Sequence, residues 1–143
     1  MKKGIIRPLV ICIFSNNNSI LVAEGYDTVK NEYYYRPIGG GIEYGELSSD
    51  ALIREIHEEI EEEIVDLKYL GTIENIFTYN DDVGHEIVIV YDAKFVDNLI
   101  YKADSLEGKE DDGTIFTLWW KPITEFQNGK LKLVPKGLLE LIQ

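Results

Sequence analysis

Cysteine is almost missing from this chain. The single Cys12 lies in the apolar run LVICIF, so no internal disulfide can form and a stapled secreted scaffold is excluded. Positive charge is also scarce: 14 Lys and Arg stand against 26 Asp and Glu, a formal net charge of −12. A protein that grips a phosphate backbone needs a basic patch, so a polymeric nucleic acid is not the expected partner. With two histidines and one cysteine, no His/Cys cluster of the kind zinc prefers is available. No apolar span reaches the roughly 18 residues of a membrane helix, and no signal-peptide or lipidation pattern is found. No membrane partner is expected, and a reducing cytoplasm is the expected compartment. Internal repeats, low-complexity linkers and domain boundaries are absent too.

What remains is enough to fold. With 143 residues, 45% of them hydrophobic and 11% aromatic, the chain suits one domain with a substantial core spanning residues 1–143. Residues 4–14 are rich in branched side chains and read as a strand, with Pro8 marking an edge or a bulge. Ser15 to Asn18 form a turn, and Ile20 to Tyr26 return as the second strand of a hairpin. Asp27 to Glu32 read as a loop, and Tyr33 to Arg36 as a short strand leading into Pro37. Further strands are expected over Leu67–Tyr79, His85–Phe95 (central) and Thr114–Lys121. An acidic loop holds Asp97 to Gly113. A helical turn follows Pro122 as far as Phe126, then a turn at Asn128-Gly129 and an extended piece from Lys130 to Val134. A helix is expected over Pro135–Gln143, with Pro135 near its first position. Many strands with two substantial helices predict an α/β fold with a mixed sheet between helices.

The stretch from Gly40 to Glu63 stands out, reading as a glycine-rich loop that leads into a helix with a row of glutamates. Three glycines, Gly39 to Gly41, allow close backbone approach to a ligand. Ser48, Ser49 and Asp50 read as a capped helix start. At about 100° per residue, Leu52, Ile53, Ile56, Ile60 and Ile64 share one arc, the core-facing side. Glu55, Glu58, Glu59 and Glu62 fall in a second arc, adjacent to one another along the helix. Like charges so placed oppose the helix by a few tenths of a kcal/mol per pair, about 0.2–0.5. Arg54 is the one firm cation nearby, able to pair with Glu58 or reach back to Glu46. A hard divalent cation relieves the repulsion, and oxygen donors suit Mg²⁺ or Mn²⁺. Most charge runs are merely solvated faces, but a solvated face needs neither the glycines nor Arg54.

The spacing G-x5-E-x7-R-E-I-x-E-E, carried by Gly40, Glu46, Arg54, Glu55, Ile56, Glu58 and Glu59, resembles the signature of the Nudix hydrolases, of the MutT-like kind. The family pattern continues with a glycine and a bulky aliphatic residue, where this chain has Glu61 and Glu62. Both departures lie beyond the acidic positions and bear on where the helix ends, with Ile64 as a substitute apolar contact. The resemblance implies a Nudix-type α/β/α sandwich. It also implies a Mg²⁺-dependent pyrophosphohydrolase acting on a small-molecule nucleoside diphosphate derivative.

Under that resemblance Glu55, Glu58 and Glu59 are metal ligands, one of them serving instead as base, and the Gly39 carbonyl adds a ligand. Glu46 contacts the metal's water or a neighbouring ligand, and Arg54 holds a glutamate in position. An acid from outside the motif is expected to join, with Glu110 the first candidate and Asp111 and Asp112 beside it. Gly40 and Arg36 are candidate substrate contacts, although Arg36 could instead pair with Glu43 or Glu46. Tyr79 and Trp119 are candidate stacking partners for a base, while aromatics in strands more often belong to the core. His85 and Glu86 are weaker candidates for substrate and metal, and His57 receives no role. Pairing of two copies through an exposed strand or helix is compatible with the sequence.

Three other readings compete. A non-catalytic nucleotide-sensing module on the same fold should have lost some of the carboxylates, and this chain keeps them. An acidic interaction domain would gain no stability from Mg²⁺. An isomerase sharing the motif needs a cysteine in a pocket, and Cys12 lies in a strand-like run.

Overall fold

Every residue from Val10 to Phe14 is buried, and this decides the architecture. Side chains along a strand alternate between two faces, so a strand buried throughout must be covered on both. Val10, Cys12 and Phe14 join a core with Ala51, Leu52 and Ile56, whereas Ile11 and Ile13 join another with Val88, Val90, Phe126 and Leu138.

The computed structural model describes residues 4–142. Five strands, β1 (Ile6–Ile13), β2 (Ser15–Asn16), β3 (Ser19–Asp27), β4 (Glu32–Arg36) and β5 (Ile38–Gly41), precede the helix α1 (Ser48–Ile60). Then come β6 (Ile64–Tyr79), β7 (Asp82–Phe95), a 3₁₀ turn (Asn98–Lys102), β8 (Ser105–Lys109), β9 (Ile115–Pro122), α2 (Ile123–Gln127) and α3 (Leu138–Ile142). The first sheet has the order β5-β1-β7-β6, with β1 and β7 parallel and the other neighbours antiparallel. The second is antiparallel, with the order β2-β3-β9-β8 and β4 also on β3. The α1 core lies on one side of β1 and the cores holding α2 and α3 residues on the other. The expected mixed α/β fold is therefore present, with its strands divided between two sheets.

Several local expectations need correction. β1 lies inside its sheet, yet Pro8 fits there for a local reason. Within a strand, the N–H and C=O of one residue point to the same side, and the Pro8 carbonyl accepts from Ile42 N–H at 3.0 Å. The missing N–H thus faces the β5 side, one residue beyond the last β1–β5 pair, Leu9 with Gly41. The expected first hairpin shrinks to β2 and the start of β3, because β1 and β3 belong to different sheets. The expected acidic loop contains β8, paired to β9, so only the four residues Glu110 to Gly113 turn the chain. The piece from Lys130 to Val134 meets β4 through one bridge, Tyr35 with Leu133, and the last helix begins at Leu138 rather than Pro135. Gln143 lies outside the described residues.

Helix α1 also differs from its expected form. Leu47 occupies the N-cap and no side chain caps the turn; Ser48 Oγ is 2.8 Å from the Tyr91 hydroxyl instead. Ile53 is 39% exposed, while Glu55 and Glu59 are buried beside Leu52 and Ile56, so the buried side is rotated toward the carboxylates. Glu62 lies outside the helix. The helix ends where the family pattern has its glycine: Glu61 takes φ 56°, and its N–H donates to the His57 carbonyl at 2.9 Å. Ile64 is buried in the α1 core, as its substitute role required.

A left-handed residue with a Cβ costs about 1–2 kcal/mol, which glycine avoids. Glu61→Gly should raise the free energy of unfolding by about 1 kcal/mol in urea denaturation, and Glu61→Gln should leave most of that gain unrealised.

Candidate active site

Arg54 is the centre of the site. Its Nε donates to Glu46 Oε2 at 2.8 Å and its Nη2 to Glu46 Oε1 and the Gly41 carbonyl, both at 3.0 Å. Its Nη1 donates to Glu55 Oε1 at 2.9 Å and Glu58 Oε2 at 3.2 Å. All five N–H groups of the guanidinium are thereby used. The helix supplies Arg54, Glu55 and Glu58, the loop after β5 supplies Glu46, and the glycine strand supplies the carbonyl. Both alternatives read for Arg54, the pair with Glu58 and the clamp on Glu46, are realised together. This guanidinium holds the Glu46 carboxyl down to about 2.

Glycine brings the backbone against the acids. A Cβ at position 40 would stand 2.3 Å from Glu55 Cδ, and one at position 39 would stand 2.0 Å from the Val10 carbonyl oxygen. Only glycine lets β5 pass so close to the helix carboxylate.

Glu55 and Glu59 are each 8% exposed and line a cavity of about 1110 Å³ between the two sheets. Burial pushes both carboxyls up; for Glu55 the Arg54 contacts oppose the shift, and for Glu59 the Glu110 and Glu55 carboxyls add to it. Glu59 reaches about 8, with Arg36 acting against the rise. Its Oε1 is buried without a hydrogen-bond partner. An orphaned carboxylate oxygen of this kind is a place where a cation would be favoured.

Gly39, Gly40, Arg36, Tyr79, Glu86, Glu110 and Asp111 also line the cavity. Glu110 opens the β8–β9 turn, and its Oε1 lies 3.6 Å from Arg36 Nη2. Arg36 therefore pairs with Glu110, and not with Glu43 or Glu46. Asp112 accepts from Thr114 N–H at 2.9 Å and serves the turn. Glu58 is half-exposed and not in the cavity wall, although it shares Arg54 Nη1 with Glu55. Glu46 too stays behind Arg54, outside the wall. Trp119 is exposed and away from the cavity; the ring beside Tyr79 is Tyr34, edge-on at 5.9 Å between centroids. His85 lines a separate small hollow, and His57 lies 3.3 Å from Glu63.

The donor set suits a hard divalent ion. Among the described residues no three His, Cys, Asp or Glu side chains already enclose one point. Mg²⁺ does not require that, since it commonly takes one or two carboxylates and fills its other positions with water and phosphate. Tyr34 and Asn75 were missed in the sequence. For Asn75 a signal existed, an amide at a position where β6 otherwise turns apolar residues inward.

The Glu59 shift has a consequence for stability. Its carboxyl titrates near 8 in the fold against 4.5 for the ordinary value. The native state thus holds the proton more tightly, and the stabilisation is complete below about pH 4.5 and is lost as pH rises through about 8. In metal-free buffer the melting temperature should fall between about pH 5 and pH 8. Glu59→Gln should make that decline shallower, and Glu55 contributes in the same direction.

The comparisons with known proteins agree with this geometry. The NUDIX domain family model matches residues 6–141. No curated protein sequence matches the chain. Among solved structures, the E. coli ORF135 protein is similar at TM-score 0.62 and 17% identity, over 96% of this chain and 86% of that one. A MutT NUDIX hydrolase from Burkholderia pseudomallei is similar at TM-score 0.60 and 20% identity, over 85% and 86%. The mutator MutT protein from Bacillus halodurans reaches TM-score 0.63 at 15% identity, over 96% and 80%. At these identities the structures speak for the fold, and the family model speaks for descent. The fold, the glycine strand and the Arg54-centred acids thus converge with a match over nearly the whole chain: the protein belongs to the NUDIX domain family and is a hydrolase acting on pyrophosphate bonds.

Proposed function

We propose that this hydrolase depends on Mg²⁺ or Mn²⁺ and cleaves a nucleoside diphosphate linked to another moiety. Nucleoside triphosphates, dinucleoside polyphosphates, ADP-ribose and nucleotide sugars are the candidate compounds. The observation that carries the reading is the partnerless, buried Oε1 of Glu59 in a cavity wall shared with the Glu55 and Glu110 carboxyls. Beyond its burial, the Glu110 and Glu55 carboxyls raise the proton affinity of Glu59, and a divalent cation removes that conflict.

When bound, such an ion supplies Lewis acidity toward a phosphoryl oxygen and acidifies nearby water. Glu55 and Glu59 would hold it, with Glu110 joining from the β8–β9 turn and the Gly39 carbonyl from β5. Glu58 is a further donor at the solvent side if it releases Arg54. Arg54 keeps the Glu55 carboxyl oriented, and Glu46 fixes Arg54. A carboxylate of this set, Glu59 or Glu58, takes the proton from the attacking water. Arg36 meets a substrate phosphate once Glu110 turns away from it. Tyr79, with Tyr34, borders the passage that the substrate occupies. The cavity exceeds the upper end of ordinary ligand pockets, about 1,000 Å³, which suits an extended compound.

Incubating the protein with these four compound classes, with Mg²⁺, Mn²⁺ or chelator, and separating products by chromatography tests the proposal. Cleavage of at least one class into a nucleoside phosphate, abolished by chelator, is expected; no metal-dependent cleavage would reject it. Glu59→Gln should lower kcat by about 100-fold or more while the fold persists by circular dichroism. Gly40→Ala should also lower activity at least about tenfold, because its methyl group displaces the Glu55 carboxyl. The displaced group is a flexible side-chain end, so unfolding free energy should change by less than about 1 kcal/mol.

A further inference from the structure

The cavity continues beyond the carboxylates, across the first sheet. Strand register places Arg7 opposite Glu86 in the parallel β1–β7 pair and Asn75 opposite Glu86 in the antiparallel β6–β7 pair. The three side chains thus form one polar row across three strands, and all three line the cavity. The next row on the same face carries Leu9 and Val88, an aliphatic bed. Phe77, two residues along β6 from Asn75 and so on the same face, also lines the cavity.

Asn75 is 8% exposed, and its Nδ2 donates to Glu86 Oε1 at 3.2 Å. A carboxylate only accepts, so this bond fixes the amide with its Oδ1 turned the other way. Among the described residues neither Asn75 Oδ1 nor Glu86 Oε2 receives a donor. The row therefore carries two acceptors without a donor, Asn75 Oδ1 on β6 and Glu86 Oε2 at its middle, beside an apolar bed, with the Arg7 guanidinium beyond Glu86 on β1. A flat heterocycle with an amino group fits this arrangement: its ring lies on Leu9 and Val88, its amine donates to an acceptor of the row, and a ring acceptor meets Arg7, while Phe77 borders the row from the opposite side. The row lies on the sheet face away from α1, so the path to the carboxylates passes the edge strand β5, whose Gly39 to Gly41 line the same cavity; measured along the sheet the offset is roughly 16 Å, taking about 4.8 Å per strand and 3.3 Å per residue. That leaves room for a sugar and diphosphate between base and carboxylates.

Resting on the nucleoside diphosphate reading above, we propose that Glu86 and Asn75 determine base specificity by accepting hydrogen bonds from the amino group of a nucleobase. Adenine, guanine and cytosine share that chemistry; hypoxanthine and uracil lack it. A site built around hydrogen-bond acceptors disfavours the analogue without the donor, because its own polar groups are left unpaired.

The test compares matched compounds, guanosine against inosine and cytidine against uridine, with adenosine against inosine as a third pair. In turnover, the amino member of at least one pair should have kcat/KM higher by about tenfold or more. Glu86→Gln should bring that ratio to within about threefold of unity, mainly through KM, whereas Glu74→Gln, exposed on the opposite face, should keep it. A second arm, thermal shift with the nucleoside diphosphates in metal-free buffer, reads base recognition without chemistry. Discrimination there with no cleavage of any compound would reject the hydrolytic proposal and uphold this one. Equal binding of all pairs, or a preference untouched by Glu86→Gln, would overturn it even if every compound is cleaved.

Discussion

The structure turns on one guanidinium surrounded by acids. Arg54 uses each of its N–H groups on a glutamate or on the Gly41 carbonyl, tying the helix, the loop that precedes it and the glycine strand into one unit. A chain with a formal net charge of −12 cannot gather carboxylates cheaply. Arg54 makes the gathering possible for Glu46, Glu55 and Glu58, and the fork geometry of arginine lets it do so in fixed directions. Lysine, with three donors on a flexible stem, could not hold all these groups in place.

That neutralisation stops short of Glu59. Its carboxyl is buried, lies near Glu110 and Glu55, and has one oxygen without a partner. Local rules for a stable fold are broken at this point, and such breaks concentrate at functional sites. The result is an uncompensated carboxylate oxygen beside the cavity. Glycine contributes on the same spot, since β5 approaches Glu55 more closely than any Cβ permits. Under the proposed function, affinity for a cation and room for a substrate would come from the same crowding.

Much of this was legible along the chain. The longer strands, the helix after the glycines and the two possible partners of Arg54 followed from periodicity and spacing, while the short strands β2 and β5 were read as turn and loop. The helical arcs read from the sequence run on through Glu62 and Ile64, whereas the helix stops at Ile60, and the αL conformation of Glu61 shows a side chain tolerating what glycine adopts freely. Ile53 and Glu59 were misread because a helical wheel knows hydrophobicity but not what the sheet places opposite each face; the sheet turned Glu59 inward and left Ile53 outside. β8 was hidden because its residues, SLEGK, carry little apolar alternation, and its pairing with β9 is a non-local bargain struck only in the folded chain.

The sequence alone determined that a row of carboxylates with one arginine among them would follow a run of glycines, read as a loop, since those depend on spacing within a single helix and loop; pairing with β1 made the glycines a strand. Tertiary structure decided which of the acids faces the cavity. It put Glu55 and Glu59 in the cavity wall and left Glu58 outside it on Arg54, chose Arg36 as the partner of Glu110, and assembled Arg7, Glu86 and Asn75 from three strands. Residues far apart in the chain meet only through sheet register, and register is set by the whole core at once.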